Sequence, residues 1–342
     1  MKILNICDPS LYPKRDMDVP TMYQKLARDP RIELFHVPAE SVRHPDRVEV
    51  IPVTADLDYE GFRALEGQTG EIYPLSYFDV VFCRRLKPFP PGYLELLAQW
   101  EKHIPFVNRP SGKMRQVQQS FFPMIADGWM SEHLITRDPI ALKAFLQQHS
   151  VVVAKRANSC GGRGIFKLWR QGRYYYLDHH DLKTQKFKYL ESCLAFLLQG
   201  QVEPILFVEY LQNVTAGDKR VVVVDGEIYG AYLRKSRQGH WINNVSADGV
   251  CELTGITPHE VKAIQATMPF YQKLGLHTLG YDFLMGNDGQ WTLSEINAGN
   301  IGGFARLESL TGDLICDRFI GWLMEFSNRM RPRYGNLHVC AC

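Results

Sequence analysis

The chain has 342 residues, 45% of them hydrophobic and 22% charged, with a formal net charge of +2. At roughly 100–150 residues per folded unit, that length suits two or three subdomains with a substantial core. So near-neutral a balance gives no electrostatic case for a nucleic-acid or membrane-surface partner. No basic leader precedes a long apolar run and no stretch approaches the ~18 apolar residues of a membrane span, so a cytoplasmic protein is expected.

From the start, strands alternate with helices. Lys2–Cys7 reads as a strand, Thr21–Arg28 as a helix and Arg31–Val37 as an alternating strand. The stretch from about Ala39 to Leu75 is polar and poorly periodic. Phe78–Cys83 then reads as a buried strand, Tyr93–Lys102 as a helix and Ile104–Asn108 as a short strand. This alternation predicts a parallel, helix-covered sheet. Pro110-Ser111-Gly112 closes the unit, and a domain boundary is expected there. The eight cysteines are mostly single and apolar in setting, as at Cys7, Cys83, Cys193 and Cys316, which reads as reduced core thiols and not a disulfide framework.

A helix from about Lys113, a strand at Glu132–Thr136 and a helix at Asp138–Gln148 follow, with Asp138 as N-cap. Val151–Lys155 then runs into Asn158-Ser159-Cys160-Gly161-Gly162-Arg163-Gly164 and out into Ile165–Leu168. That is strand, glycine-rich loop, strand. Glycines let backbone N–H groups turn toward a phosphate, and Lys155 at the strand end adds a point charge. The pattern is no Walker loop, since no helix-starting Gly-Lys-Ser/Thr follows; a plain glycine-rich hairpin with an incidental lysine is the competing reading. Cys160 reads as a small loop residue. Ile205–Leu211 and Gly217–Arg234 are successive strands, the latter turning at Asp225-Gly226. Glu209 at a strand end suits ribose hydroxyls, with ordinary solvation as the alternative.

Thr257-Pro258-His259-Glu260 has the form of a capping box that launches a helix to about Lys273. Gly280-Tyr281-Asp282-Phe283 and Trp291–Asn297 flank Asn287-Asp288-Gly289, a hairpin-turn signal. In that ladder Glu295 and Asn297 share a face, and Asp282 on the partner strand can be brought opposite them. Two carboxylates and an amide are too few for calcium but suit Mg²⁺, which keeps waters and shares substrate phosphates. Polar residues on a wet sheet face are the plain alternative. A last helix spans about Asp313 to Met330, and the end Arg331–Cys342 is expected to fray. The spacing within His338-Val339-Cys340-Ala341-Cys342 does not match zinc sites.

In this order, Lys155 with the glycine loop, Glu209-Tyr210-Leu211, Gly217-Asp218-Lys219-Arg220, and Asp282 with Glu295-x-Asn297 resemble the ATP-grasp superfamily. The chain looks most like prokaryotic glutathione synthetase and the ligases that add glutamate to ribosomal proteins. The resemblance runs from the first strand to about residue 327. It implies an α/β fold of α+β subdomains: an N-terminal parallel-sheet domain over 1–112, a central subdomain with the glycine loop over 113–204, a C-terminal subdomain with the metal site over 205–330, and a tail over 331–342. By motif position, Lys155 would contact phosphate or the adenine edge, and Gly161, Gly162 and Gly164 would close over the nucleotide. Glu209, Tyr210 and Leu211 would line the adenine and ribose pocket, and Asp218 would bind ribose. Asp282, Glu295 and Asn297 would hold one or two Mg²⁺, with Mn²⁺ as substitute. Arg234 would bind the reacting carboxylate, and Asn244 would lie near the phosphates.

The activity so implied is ATP- and Mg-dependent ligation of a small carboxylate to an amine through an acyl phosphate, in a cytoplasmic dimer or tetramer. Three departures from the pattern bear on it. Gln118-Gln119-Ser120 stands where the family carries a second nucleotide-contacting lysine, and Ile242 replaces an arginine. Ala298–Phe304 is rich in glycine where the amine would approach. Arg84-Arg85-Leu86-Lys87-Pro88-Phe89 keeps a basic-Pro-Phe character suited to a substrate carboxylate, or is a solvated basic loop. Glutathione formation, a tailoring ligase for natural products, a ligase acting on a protein or carrier terminus, and an inactive nucleotide-binding module all remain open at this point.

Overall fold

The computed structural model describes residues 1–159, 161–179, 181–236, 241 and 250–335. β1 (Lys2–Cys7) is apolar on both faces: Ile3 and Cys7 enter one core, Leu4 and Ile6 another. A strand covered on both sides belongs inside a helix-layered sheet. The chain continues through α1 (Asp18–Arg28), β2 (Glu33–Pro38), β3 (Arg47–Val53), α2 (Tyr59–Ala64), β4 (Glu71–Pro74), β5 (Val80–Cys83) and α3 (Tyr93–Trp100). The sheet order is β4-β3-β2-β1-β5. Only β2, β1 and β5 are parallel, whereas β3 and β4 join antiparallel, so the fully parallel sheet expected for this unit is corrected to a mixed one. Both added strands come from the polar stretch 39–75. β4 is an exposed edge and β3 is broken by Pro52, so neither shows the continuous apolar run of a buried strand.

α4 (Pro110–Gln116) starts three residues before Lys113, with Pro110 in its first turn. Just before it, the Asn108 amide donates to the Thr278 and Ala298 carbonyls at 2.9 and 2.8 Å, stitching this segment to the C-terminal sheet. Lys113 is only 3% exposed and its ammonium has no hydrogen-bond or ion-pair partner among the described residues. Burial holds its pKa below lysine's usual range, and Arg84 and Lys87 push the same way. Lys113→Met is expected to stabilise the fold by on the order of 1 kcal/mol at neutral pH. Because the folded-state pKa is depressed, the native protein gains stability as pH rises toward lysine's ordinary range, and the variant's advantage shrinks. Urea melts of both proteins at about pH 6 and about pH 10 check this; a gap that widens with pH contradicts it.

α5 (Phe121–Ala126), β6 (His133–Thr136), α6 (Pro139–His149), β7 (Val151–Lys155), β8 (Ile165–Gln171), β9 (Tyr174–His179), β10 (Leu182–Phe187), α7 (Leu190–Leu198) and β11 (Ile205–Glu209) follow. Asp138 caps α6, its carboxylate accepting from the Ile140 amide at 2.9 Å. The second sheet, β10-β9-β8-β7-β11-β6, is antiparallel throughout. β11 lies inside it, although a boundary was expected at residue 205. Val152, Phe207 and Leu168 pack under α6 and α7, while Val153, Leu206 and Val208 point to the other side. The alternation is the period-two rule applied to a sheet with helices on one face only.

The third sheet, β14-β13-β12-β15-β16, is built from β12 (Asp218–Val224), β13 (Glu227–Lys235), β14 (Val250–Leu253), β15 (Thr278–Met285) and β16 (Trp291–Asn297). Asp225 and Gly226 both take positive φ, 52° and 91°, as a two-residue hairpin turn with matched twist requires. α8 (Pro258–Lys273) carries the expected capping box, with Thr257 and Glu260 exchanging hydrogen bonds. It covers the face holding Val221, Val223 and Phe283. α9 (Phe304–Thr311) and α10 (Ile315–Gly335) complete the chain. α10 continues past Met330, where fraying was expected; residues 336–342, with their His and Cys, lie outside the described residues.

The opposite face of the third sheet shares one core with the first: Ile3 and Phe82 pack with Val222, Phe304 and Phe319. Cys7, Cys83, Cys193 and Cys316 are buried free thiols, and burial pushes that of Cys193 up to about 12. Among the described residues no helix is long and apolar enough to cross a membrane.

Candidate active site

Between the second and third sheets lies a cavity of about 370 Å³. Its upper wall is the free face of the second sheet, Val153, Ile165 and Val208, and Leu284 of β15 faces it. This apolar slot has the form needed to sandwich a flat ring. The floor is polar and comes from β12, β13, β15 and β16.

Strand register explains the floor. Asp218 pairs with Arg234 and with Leu284, and Arg220 pairs with Asp282. Two residues apart on β12, Asp218 and Arg220 therefore face the cavity together, while Lys219 turns away to a buried pair with Glu260 at 2.9 Å. Arg220 grips Asp282 with Nε at 2.5 Å and a terminal nitrogen at 2.9 Å. Arg234 reaches Asp282 at 2.9 Å and Asp218 at 2.6 Å, and the Asn297 amide donates to Asp282 at 3.0 Å.

Burial raises the Asp218 carboxyl, to about 6, against the pull of Arg234. Burial also acts to raise Asp282, but Arg220 and Arg234 reverse it and hold the carboxyl below the usual range. Asp218 Oδ1 and Arg234 Nε are buried without hydrogen-bond partners among the described residues, so the network holds unspent polar capacity beside the cavity.

β16 adds a bulge. Asp282 faces Glu295 but Phe283 faces Leu293, leaving Ser294 as the extra residue. The bulge shifts the alternation, so that Glu295 and Asn297 point to the cavity while Leu293 and Ile296 stay in the core. It also turns the Ser294 carbonyl and hydroxyl to Lys155 Nζ, at 3.0 and 3.2 Å. Burial lowers the Lys155 pKa, with Glu295, Asp218 and Asp282 opposing.

The sequence-predicted residues are thus brought together in part. Lys155, Gly161, Gly162, Glu209, Tyr210, Leu211, Asp218, Arg234, Asp282, Glu295 and Asn297 all line the cavity. Gly164 does not. It packs within the loop, where a Cβ would sit 2.1 Å from Ser159 Oγ. Gly164→Ala is therefore expected to weaken nucleotide binding about tenfold by displacing the loop, and Ser159→Gly in the same chain should restore most of it, since it removes the atoms struck. Fluorescent-nucleotide titration of the single and double variants checks the pair.

Asn244, Ile242 and Cys160 lie outside the described residues. Glu209 accepts from the Asn287 amide at 2.7 Å, and Lys167 stands 4.0 Å over the Tyr210 ring. Arg220 and Gln119 were given no role from sequence. For Arg220 the signal was its period-two partnership with Asp218. Gln119, in the stretch where a lysine was missed, donates to the Lys155 carbonyl at 2.6 Å.

As metal ligands the residues divide. Asp282 gives both oxygens to guanidinium and amide donors, and among the described residues no three His, Cys, Asp or Glu side chains form a metal-holding group. Glu295 faces the cavity with no hydrogen-bond or ion-pair partner among the described residues. A hard divalent ion that takes one or two carboxylates and fills its shell with phosphate oxygens and water fits Glu295 beside the Asn297 amide.

Residues 118–312 match the prokaryotic glutathione synthetase ATP-grasp domain. A protein from Gloeobacter violaceus named glutathione synthetase is 26% identical over 339 residues, covering 96% of this chain and 98% of that one. In structure, D-alanyl-alanine synthetase A from Vibrio cholerae gives a TM-score of 0.63 at 13% identity, covering 96% of this chain and 98% of that one. The ATP-grasp ligase PsnB, solved with a minimal precursor, gives 0.57 at 18%, covering 93% and 98%. With the matched domain spanning more than half of its length, this chain belongs to the prokaryotic glutathione synthetase family of ATP-grasp ligases.

Proposed function

We propose that the protein joins γ-glutamylcysteine to glycine, with ATP cleaved to ADP and phosphate. The family makes it an ATP-dependent carboxylate–amine ligase, and the substrate pair rests on the relatives named glutathione synthetase. The observation that carries the chemistry is the composition of the cavity floor: Asp218, Asp282 and Glu295 set against Lys155, Arg220 and Arg234, with no histidine or cysteine among the described lining residues. Among the described residues such a site offers no histidine- or cysteine-based protein nucleophile. It positions two substrates and neutralises charge as it develops.

In the proposed reaction a carboxylate oxygen of the acid attacks the γ-phosphorus, and the bond to ADP breaks. The amine then attacks the acyl carbonyl, inorganic phosphate leaves, and the nitrogen loses a proton. Adenine occupies the slot between Val153, Ile165 and Val208 and Leu284, with Glu209 toward the ribose. Lys155 lies against the phosphates. Arg220 and Arg234, held in place by Asp282 and Asp218, present the N–H groups that bind the reacting carboxylate and its phosphorylated form. Glu295 and Asn297 would hold a divalent ion, proposed as Mg²⁺ with Mn²⁺ as substitute, which would neutralise phosphate charge.

The test is ADP and phosphate release across a matrix of acids and amines, with mass detection of the product. Glutathione from γ-glutamylcysteine and glycine is the expected product. Turnover with a different pair alone keeps the ligase and removes the proposed substrates.

A further inference from the structure

The glycine loop and the basic-Pro-Phe loop belong to different sheets, yet they meet at one side chain. Asn158, in the glycine loop, accepts from the Phe89 amide at 3.2 Å and donates to the Phe89 carbonyl at 3.4 Å. The side-chain amide thus pairs with both backbone groups of one residue, as a neighbouring strand would. Asn158 takes φ 49°, a left-handed conformation that asparagine tolerates and most side chains resist.

What Phe89 carries gives this pairing its consequence. Its ring, 8% exposed, lies 6.1 Å from and nearly parallel to Tyr93, and the Arg85 guanidinium sits 4.5 Å over the same Tyr93 ring. Arg85, Lys87 and Phe89 all line the cavity, as do Gly161 and Gly162. A displacement of the glycine loop is therefore delivered through Asn158 to the backbone just beyond Lys87, in the loop that also carries Arg85.

We propose that Asn158 is a positioning residue that couples nucleotide binding at the glycine loop to the placement of Arg85 and Lys87, the cations that receive an anionic group of the acid substrate. The inference rests on the ligase reading above. Nucleotide phosphates order the glycine loop, the Asn158 amide transmits that order to Phe89, and the acid meets preset cations. Binding of ATP and acid is then mutually reinforcing, and the coupling resides in two hydrogen bonds.

Hydrogen exchange on the whole protein, with Mg²⁺ and a non-hydrolysable ATP analogue, tests this without knowledge of the acid. In the unaltered chain the analogue should slow exchange in residues 155–165 and, about fivefold, in residues 84–89. Asn158→Gly keeps the backbone conformation and removes both bonds; it should retain protection of 155–165 and lose that of 84–89. Asn158→Asp, which can still accept from the Phe89 amide, should recover part of it. In turnover, Asn158→Gly should raise the KM for the acid about tenfold, with the KM for ATP and kcat within about twofold.

Equal protection of 84–89 in the glycine variant, or a rise in the ATP KM in place of the acid KM, overturns the coupling alone. Absence of protection at 155–165 in the unaltered chain overturns the nucleotide reading, and this inference with it.

Discussion

Glu295→Gln is expected to reduce ATP-dependent ligation by about a hundredfold to a thousandfold while leaving the melting temperature unchanged. Glutamine keeps the volume and one carbonyl oxygen but removes the charge. Since Glu295 has no hydrogen-bond or ion-pair partner among the described residues, no such bond is broken, and the fold loses only the support its charge gives to buried Lys155. The loss should therefore appear in kcat and in the Mg²⁺ concentration needed for half-maximal rate. Asn297 is too weak a ligand to hold the ion by itself. Steady-state rates across a Mg²⁺ series decide it: unchanged turnover removes Glu295 from the metal site and the proposed chemistry with it.

Asp282→Leu should have the largest effect on the fold, a destabilisation of about 3–5 kcal/mol. The carboxylate is 4% exposed and accepts from Arg220 and Arg234. Removing it strands buried cations; Arg234 keeps Asp218, but among the described residues Arg220 keeps only a weak hydrogen bond to the Gly302 carbonyl at 3.4 Å. The double variant with Arg220→Met should recover a good part of the loss, because an apolar pair of similar volume often replaces a buried ion pair at little cost. Activity should be absent in both. Urea unfolding of the two singles and the double measures the coupling, and additive losses would mean that the two side chains do not depend on each other.

Much of the scaffold was legible in the residue pattern because the elements concerned carry local signals. The capping box at Thr257, the cap at Asp138, the positive-φ turn at Asp225-Gly226 and the hairpin around Asn287-Asp288-Gly289 are encoded within a few residues. β4 was illegible because an exposed edge strand has no apolar run to show, and β3 because Pro52 interrupts its run. In the site, the shared face of Glu295 and Asn297 followed from period-two geometry, which also allowed Asp282 to be brought opposite them. The bulge at Ser294, which sets that face and supplies the Lys155 acceptors, carries no sequence mark. Asp218 illustrates the remaining limit: its position in the cavity was anticipated, but its tie to Arg234 depends on a pairing between strands that only the folded sheet displays.

The core that joins Ile3 and Phe82 to Phe304 and Phe319 governs the order in which a growing chain can finish folding. Residues 133–209 supply every strand of the second sheet and its helices from one contiguous stretch, so that unit can close its core while the rest is still being made. One face of β1 packs against α1 close by in sequence, but its core is completed only by α10, far along the chain. Until α10 is made, part of that apolar surface waits without its partner.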